Sequence, residues 1–169
     1  TKRLLFDTKS HQSKIVNKKT LLTIEGFPRS GNSFMSKLVL SCNPDLTNKV
    51  GHHLHHPANI MRSVKNHIPT ILMLRDPMSA IISLKSLVIF SNLKNSKNRL
   101  VPSLNKLLSL YIQYHSSLES IADKFTIVLL DDLINNQCIT LSKISIAYSL
   151  DFSNVSSVKF KQHALPSNE

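Results

Sequence analysis

The sequence predicts an α/β protein, three-layer α/β/α around a central parallel sheet. Three observations predict it. Short apolar runs of strand length recur at residues 20–25, 69–74 and 125–130, each bounded by turn or capping residues. Longer stretches with helical spacing of apolar residues lie between and after them. Strand and helix therefore alternate along the chain, which is the order that builds parallel crossovers. With 169 residues, the chain suits one domain with a substantial core.

The first strand, through Leu21-Leu22-Thr23-Ile24, runs into the loop Gly26-Phe27-Pro28-Arg29-Ser30-Gly31-Asn32-Ser33, and a helical pattern follows from Phe34 to Leu40. The two glycines stand five apart, as in the phosphate loop G-x-x-x-x-G-K-S/T, so the expected fold is P-loop NTPase-like. Ser33 holds the serine/threonine place, but Asn32 replaces the lysine that reaches the outer phosphates of ATP. Glycine backbones let amides turn inward around an anion, and the following helix adds unpaired N–H groups and the positive end of its dipole. Arg29 adds a planar, permanently charged fork of donors. The loop can hold an anion without the usual means to use ATP. A plain strand-to-helix turn with a solvated arginine is the alternative.

Next comes Gly51-His52-His53-Leu54-His55-His56, which packs four of the eight histidines into five positions. The cluster admits a general base, a metal site or a merely polar loop. No cysteine or carboxylate accompanies it as a further zinc ligand, so no metal is expected. Residues 57–66 suit a short helix with Pro57 at its start. The second strand ends at Arg75, and Asp76-Pro77 is a good N-cap and first position for a helix from Met78 to about Phe90, with Ser83 two turns in. Ligands of open α/β sheets bind at the carboxyl ends of strands, so Arg29 and Arg75 are expected in one crevice; an Arg75–Asp76 ion pair is the structural alternative.

Residues 91–102 read as a polar surface loop. Leu104, Leu107, Leu108, Tyr111, Ile112, Leu118 and Ile121 keep helical spacing and are expected in the core. The third strand, 125–130, reads as buried, with Asp131 and Asp132 as caps and a last helix over 140–150. The domain is expected over 20–152, between a basic extension at 1–19 and a polar tail at 153–169.

The net charge is +11 with histidine neutral, which suits an anionic ligand. The lysines are dispersed and no basic run carries interleaved aromatics, so nucleic acid is not an expected partner. No apolar run approaches the ~20 residues of a membrane span, and no signal-peptide core precedes the first strand, so a cytoplasmic protein is expected. Two distant cysteines suggest free thiols. The chain opens on Thr1, as a fragment or processed product would.

Two segments together resemble the sulfotransferase family, whose donor is 3′-phosphoadenosine 5′-phosphosulfate (PAPS). Phe27-Pro28-Arg29-Ser30-Gly31-Asn32-Ser33-Phe34 is similar to the family's 5′-phosphosulfate loop, Y/F-P-K/R-S-G-T/N/S-T/S-W/F. Arg75-Asp76-Pro77-Met78-Ser79-Ala80-Ile81-Ile82-Ser83 is similar to its 3′-phosphate motif, R-N/D-P-x-D/S-x-x-x-S. The resemblance implies that Arg29, Ser30, Gly31, Asn32 and Ser33 cradle the 5′-phosphosulfate, that Phe34 lies against the adenine, and that Arg75 and Ser83 hold the 3′-phosphate. It implies sulfuryl transfer to a hydroxyl or amine, on a carbohydrate or small molecule, with no metal.

The family's catalytic histidine sits in K-T-H-L-P, twenty-two residues before the 3′-phosphate arginine. Counting back from Arg75 gives His53, followed by Leu54, though Gly51 and His55 replace the lysine and proline. His53 is thus the implied base, with His55 and then His52 in reserve; an unperturbed pKa of roughly 6.5 suits the task. The resemblance covers about residues 20–152, and the family's C-terminal R-K-G element is not found. A kinase-like phosphotransferase and a non-catalytic nucleotide binder are the rival functions.

Overall fold

The computed structural model describes residues 14–95 and 100–153. Four strands, β1 (Leu22–Gly26), β2 (Val50–His52), β3 (Thr70–Leu74) and β4 (Thr126–Leu129), form one all-parallel sheet in the order β2-β1-β3-β4. One face is covered by α1 (Asn32–Cys42), α5 (Leu130–Asn135) and α6 (Gln137–Tyr148), where Leu22, Ile24, Ile71, Met73 and Val128 meet Leu38, Leu133 and Ile144. The other is covered by α2 (Pro57–Lys65), α3 (Pro77–Asn95) and α4 (Leu104–Ser116), where Leu72 meets Ile60, Ile81, Leu84 and Leu107. The fold is the expected three-layer α/β/α with a parallel sheet. Strand alternation explains it: in β1 and β3 both sets of side chains are buried, as parallel sheets require.

β1 and β3 are neighbours, with Gly26 opposite Met73, yet α1 leaves β1 toward one layer and α3 follows β3 into the other. That divergence opens a crevice at their carboxyl ends. Gly26 is required there: a Cβ would lie 2.4 Å from the Met73 carbonyl oxygen and 2.7 Å from Asn32 Oδ1.

Several elements depart from expectation. β2 lies in the presumed long connection between the first two strands; three residues containing one glycine make too short an apolar signal, and pairing with β1 creates it. β4 is an edge strand with Val128 buried but Ile127 and Leu129 about half exposed, so it is not buried on both faces. It ends at Leu129, because Leu130 opens α5 with Asp131 and Asp132 in its first turn, neither making a side-chain cap bond. α3 continues to Asn95, into part of the expected 91–102 loop.

The helical run over 104–121 is divided: α4 stops at Ser116, and a 3-10 segment, Glu119–Lys124, follows with Ile121 out of helical angles. Leu104 and Ile112 are exposed, so they are not core. The last helix begins three residues earlier than expected and ends at Tyr148. Residues 14–19 are not a detached extension: Val16 is buried, its N–H donates to Asn59 Oδ1 at 2.9 Å, and its carbonyl accepts from Arg62. The rest of the 1–19 extension and nearly all of the 153–169 tail lie outside the described residues. Cys42 and Cys138 are both free thiols.

Candidate functional site

The loop after β1 takes the conformation its glycines and arginine permit. Gly31 is left-handed at φ 94° and is the N-cap of α1, where it has no side chain with which to cap. The first turn of α1 holds no acidic residue, so its amides present their positive end to the crevice. Arg29 is also left-handed, at φ 71°, a costly state for a non-glycine residue. Two contacts hold it: Ser30 N–H closes a turn on the Phe27 carbonyl at 3.2 Å, and Arg75 Nη1 donates to the Arg29 carbonyl at 3.2 Å. Ser30 is fully buried and its Oγ has no hydrogen-bond partner among the described residues, an orphaned polar atom in the loop.

The two sequence motifs meet. Arg29 Nε donates to Ser83 Oγ at 2.9 Å, across 54 positions of sequence. Arg75 directs its guanidinium to the Arg29 backbone, and its own carbonyl accepts from Tyr111 Oη at 2.7 Å. Asp76 caps α3 by accepting from Ser79 N–H at 2.8 Å, and that bond chiefly holds its carboxyl below the usual range. Arg29, Arg75 and Ser83 therefore form one cationic, hydroxyl-bearing corner. The Arg29 side chain leans toward α3 and Ser83.

Asn32 turns its side chain away from the crevice and leaves only its backbone to face an anion. Its side chain is buried, and its amide NH₂ is near the Gly26 and Phe27 carbonyls at 3.1 and 3.2 Å, so it ties the loop base together. Only its backbone N–H belongs to the first turn. Phe34 is half-buried against the core of the α1 layer.

The histidines close the other side of the crevice. Ser33 Oγ lies 2.6 Å from His53 Nε2, and His53 Nδ1 contacts His52 Nδ1. Burial, with Lys14 and His55 nearby, pushes His52 down to about 4, so it is neutral at pH 7 and can accept the His53 Nδ1 proton. With His53 as the donor in that contact, its lone pair lies on Nε2, toward Ser33 and the phosphate-type loop. His55 Nδ1 lies 3.1 Å from both the Gly26 carbonyl and Asn32 Nδ2, at the loop base. His56 caps α2 by accepting from Ala58 N–H. Among the described residues, no group of three or more His, Cys, Asp or Glu is arranged to hold a metal ion.

Two supports were not anticipated. Glu25 is fully buried in β1; Oε1 accepts from Leu54 N–H at 2.8 Å and Asn59 Nδ2 at 2.9 Å, and Oε2 from His55 N–H at 3.0 Å. Burial pushes it up to about 7, against the downward pull of those donors. It clamps a loop in which His53 and His55 are both left-handed, at φ 59° and 52°. The sequence signal was there: a lone acid inside an apolar strand, one residue before the loop glycine. Tyr111 reads as a core residue and is one, its ring 5.0 Å from Phe27, but its hydroxyl also positions Arg75.

No family model, curated protein or solved structure matches this chain.

Proposed function

We propose that this chain transfers a sulfuryl group from PAPS to a hydroxyl or amine acceptor. The observation that carries the reading is the convergence of Arg29, Arg75 and Ser83 at the carboxyl ends of β1 and β3, beside an N-terminal helix turn without an acid. Two neighbouring anion-binding groups, the first-turn amides of α1 and the arginine–serine corner, suit a nucleotide with phosphates at both 5′ and 3′ positions. Asn32 replaces the lysine an ATP-using loop needs, which disfavours the kinase reading.

In this reading the acceptor hydroxyl takes the place that Ser33 Oγ now holds against His53 Nε2. His53 removes its proton, the acceptor oxygen forms a bond to sulfur, and the bond from sulfur to the 5′-phosphate oxygen breaks. Adenosine 3′,5′-bisphosphate leaves. The first-turn amides of α1 stabilise charge on the departing oxygens, and Arg29 joins them by turning from Ser83. Arg75 and Ser83 hold the 3′-phosphate. Positioning and electrostatics carry the catalysis, as in phosphoryl transfer.

Calorimetry with adenosine 3′,5′-bisphosphate and with ATP tests the reading. The bisphosphate is expected to bind much more tightly, without magnesium. Equal or tighter binding of ATP that depends on magnesium would remove the sulfotransferase reading in favour of the kinase-like one. Bisphosphate binding without sulfate transfer to any acceptor offered would favour the non-catalytic binder.

A further inference from the structure

We propose that the outer face of α3 docks the protein onto an anionic lipid bilayer. α3 is apolar on two sides. Ala80, Ile81 and Leu84 turn inward and are buried in the core under the sheet. A second set turns outward: Met78 and Ile82 are each 49% exposed, Ile89 41%, Phe90 61% and Leu93 77%, while Leu87, also exposed, stands apart on the edge of this face. Their spacing, i, i+4, i+11, i+12 and i+15, gathers them within about 120° of the helix circumference at 100° per residue. Single exposed apolar residues are ordinary, but an aligned stripe running the length of a 19-residue helix is not.

Charge selects the occupant. From Pro77 to Leu118 the sequence contains no aspartate or glutamate; Asp76 and Glu119 bracket that stretch. Lys85 and Lys94 lie on α3 and Lys106 on α4, which packs against it. An apolar stripe flanked by lysines and free of acids is the composition of a helix that lies in the headgroup region of an anionic bilayer. A second copy of this chain is a poorer fit, because it would set like charges against each other around the stripe, on a chain of net charge +11. An ordinary protein interface is a poorer fit too, since lysine is depleted there. The docking is peripheral: among the described residues no helix is long and apolar enough to cross a membrane. α3 begins directly after Arg75 and Asp76, so a bilayer at this face would adjoin the mouth of the crevice.

Flotation of the full chain with phosphatidylcholine vesicles, with and without phosphatidylserine, tests this. The protein is expected to float with the phosphatidylserine vesicles, much less with pure phosphatidylcholine, and to be released by high salt. The double variant F90S/L93S is expected to lower the partition coefficient about tenfold or more, since two apolar side chains no longer enter the acyl boundary. Both side chains are well exposed, and an unchanged circular dichroism melt verifies the fold. Ile146→Ser, a single apolar-to-polar change at an 85% exposed site on α6 in the opposite layer, is expected to leave partition unchanged. The proposal is overturned by absence of flotation with either vesicle. It is also overturned by flotation that F90S/L93S leaves intact, which would reduce it to diffuse electrostatic adsorption. A concentration-dependent dimer that F90S/L93S abolishes, without vesicle binding, would assign the stripe to a second copy.

Discussion

At the scale of single residues, the arginine corner has two jobs that can be separated. Arg75 clamps the strained Arg29 backbone and, in the proposed function, meets the 3′-phosphate. Arg75→Ala should therefore weaken binding of adenosine 3′,5′-bisphosphate by about ten- to a hundredfold, the worth of a charge-assisted bond. It should weaken adenosine 5′-monophosphate less, through the loosened loop alone. Calorimetry with both nucleotides measures the difference; equal losses would make Arg75 purely structural.

His53 is separable in the same way. His53→Ala should lower sulfate transfer by about 10²–10⁴-fold and leave nucleotide affinity unchanged, as removal of a general base does. His55, pinned to the loop base by the Gly26 carbonyl and Asn32, and His56, the cap of α2, should affect turnover chiefly through loop order. If His55→Ala alone abolished turnover while His53→Ala did not, the base would be His55.

At the scale of elements, the crevice depends on two backbone approaches. β1 and the loop after it pass so close to β3 and Asn32 that Gly26 has no space for a methyl group. Gly26→Ala should destabilise by roughly 1–3 kcal/mol, the range for forced overpacking, with a lowered Tm and lost nucleotide binding. The second approach is the link from β2 to α2, held by Glu25 through the N–H groups of Leu54 and His55. Left-handed histidines at 53 and 55 persist only where the surroundings over-determine them. Glu25→Gln offers one acceptor oxygen where two N–H groups need one each. Amide exchange at Leu54 and His55 should then accelerate well beyond that in β3, which the change does not touch. Uniform exchange across the sheet would instead mark Glu25 as a general stability residue.

At the scale of the whole molecule, buried Glu25 and half-buried His52 shape stability against pH with opposite signs. Glu25 has its folded pKa raised from 4.5 to about 7 by burial. Its contribution is full below 4.5 and is lost as pH rises through 7, on the order of 3 kcal/mol. His52 has its folded pKa lowered from 6.5 to about 4, again by burial first. Its contribution is full above 6.5 and is lost as pH falls through 4. Between pH 4 and 7 the Glu25 slope opposes that of His52 and of His115, which burial also lowers, so the parent profile is flatter than either slope alone. Glu25→Gln removes one slope and should leave stability rising with pH across that window. Urea denaturation across the window reads the sign directly; a falling curve in the variant would contradict the assignment.

The alternation of apolar runs and helical stretches was enough to determine the layered fold, because β1 and β3 are central strands buried on both faces and read as largely apolar runs. The loop between Gly26 and Gly31 and the start of α3 at Asp76-Pro77 were legible for a similar reason: glycine and proline restrict the backbone locally, whatever surrounds them. β2 was not legible, since three residues become a strand only when β1 offers its edge. Nor was the split of exposure in β4 and α4, which depends on what lies above each face. The same holds at the site. Sequence named Arg29, Arg75, Ser83 and Ser33 by type and spacing, and the family resemblance singled out His53, but a string of residues carries no distances. Only tertiary structure decided that Arg29 reaches Ser83, that His53 faces Ser33, and that Asn32 turns inward to brace the loop. It also decided that an acid buried in the first strand holds the histidine loop, since the cost of burying Glu25 is met chiefly by donors from a segment about thirty residues away.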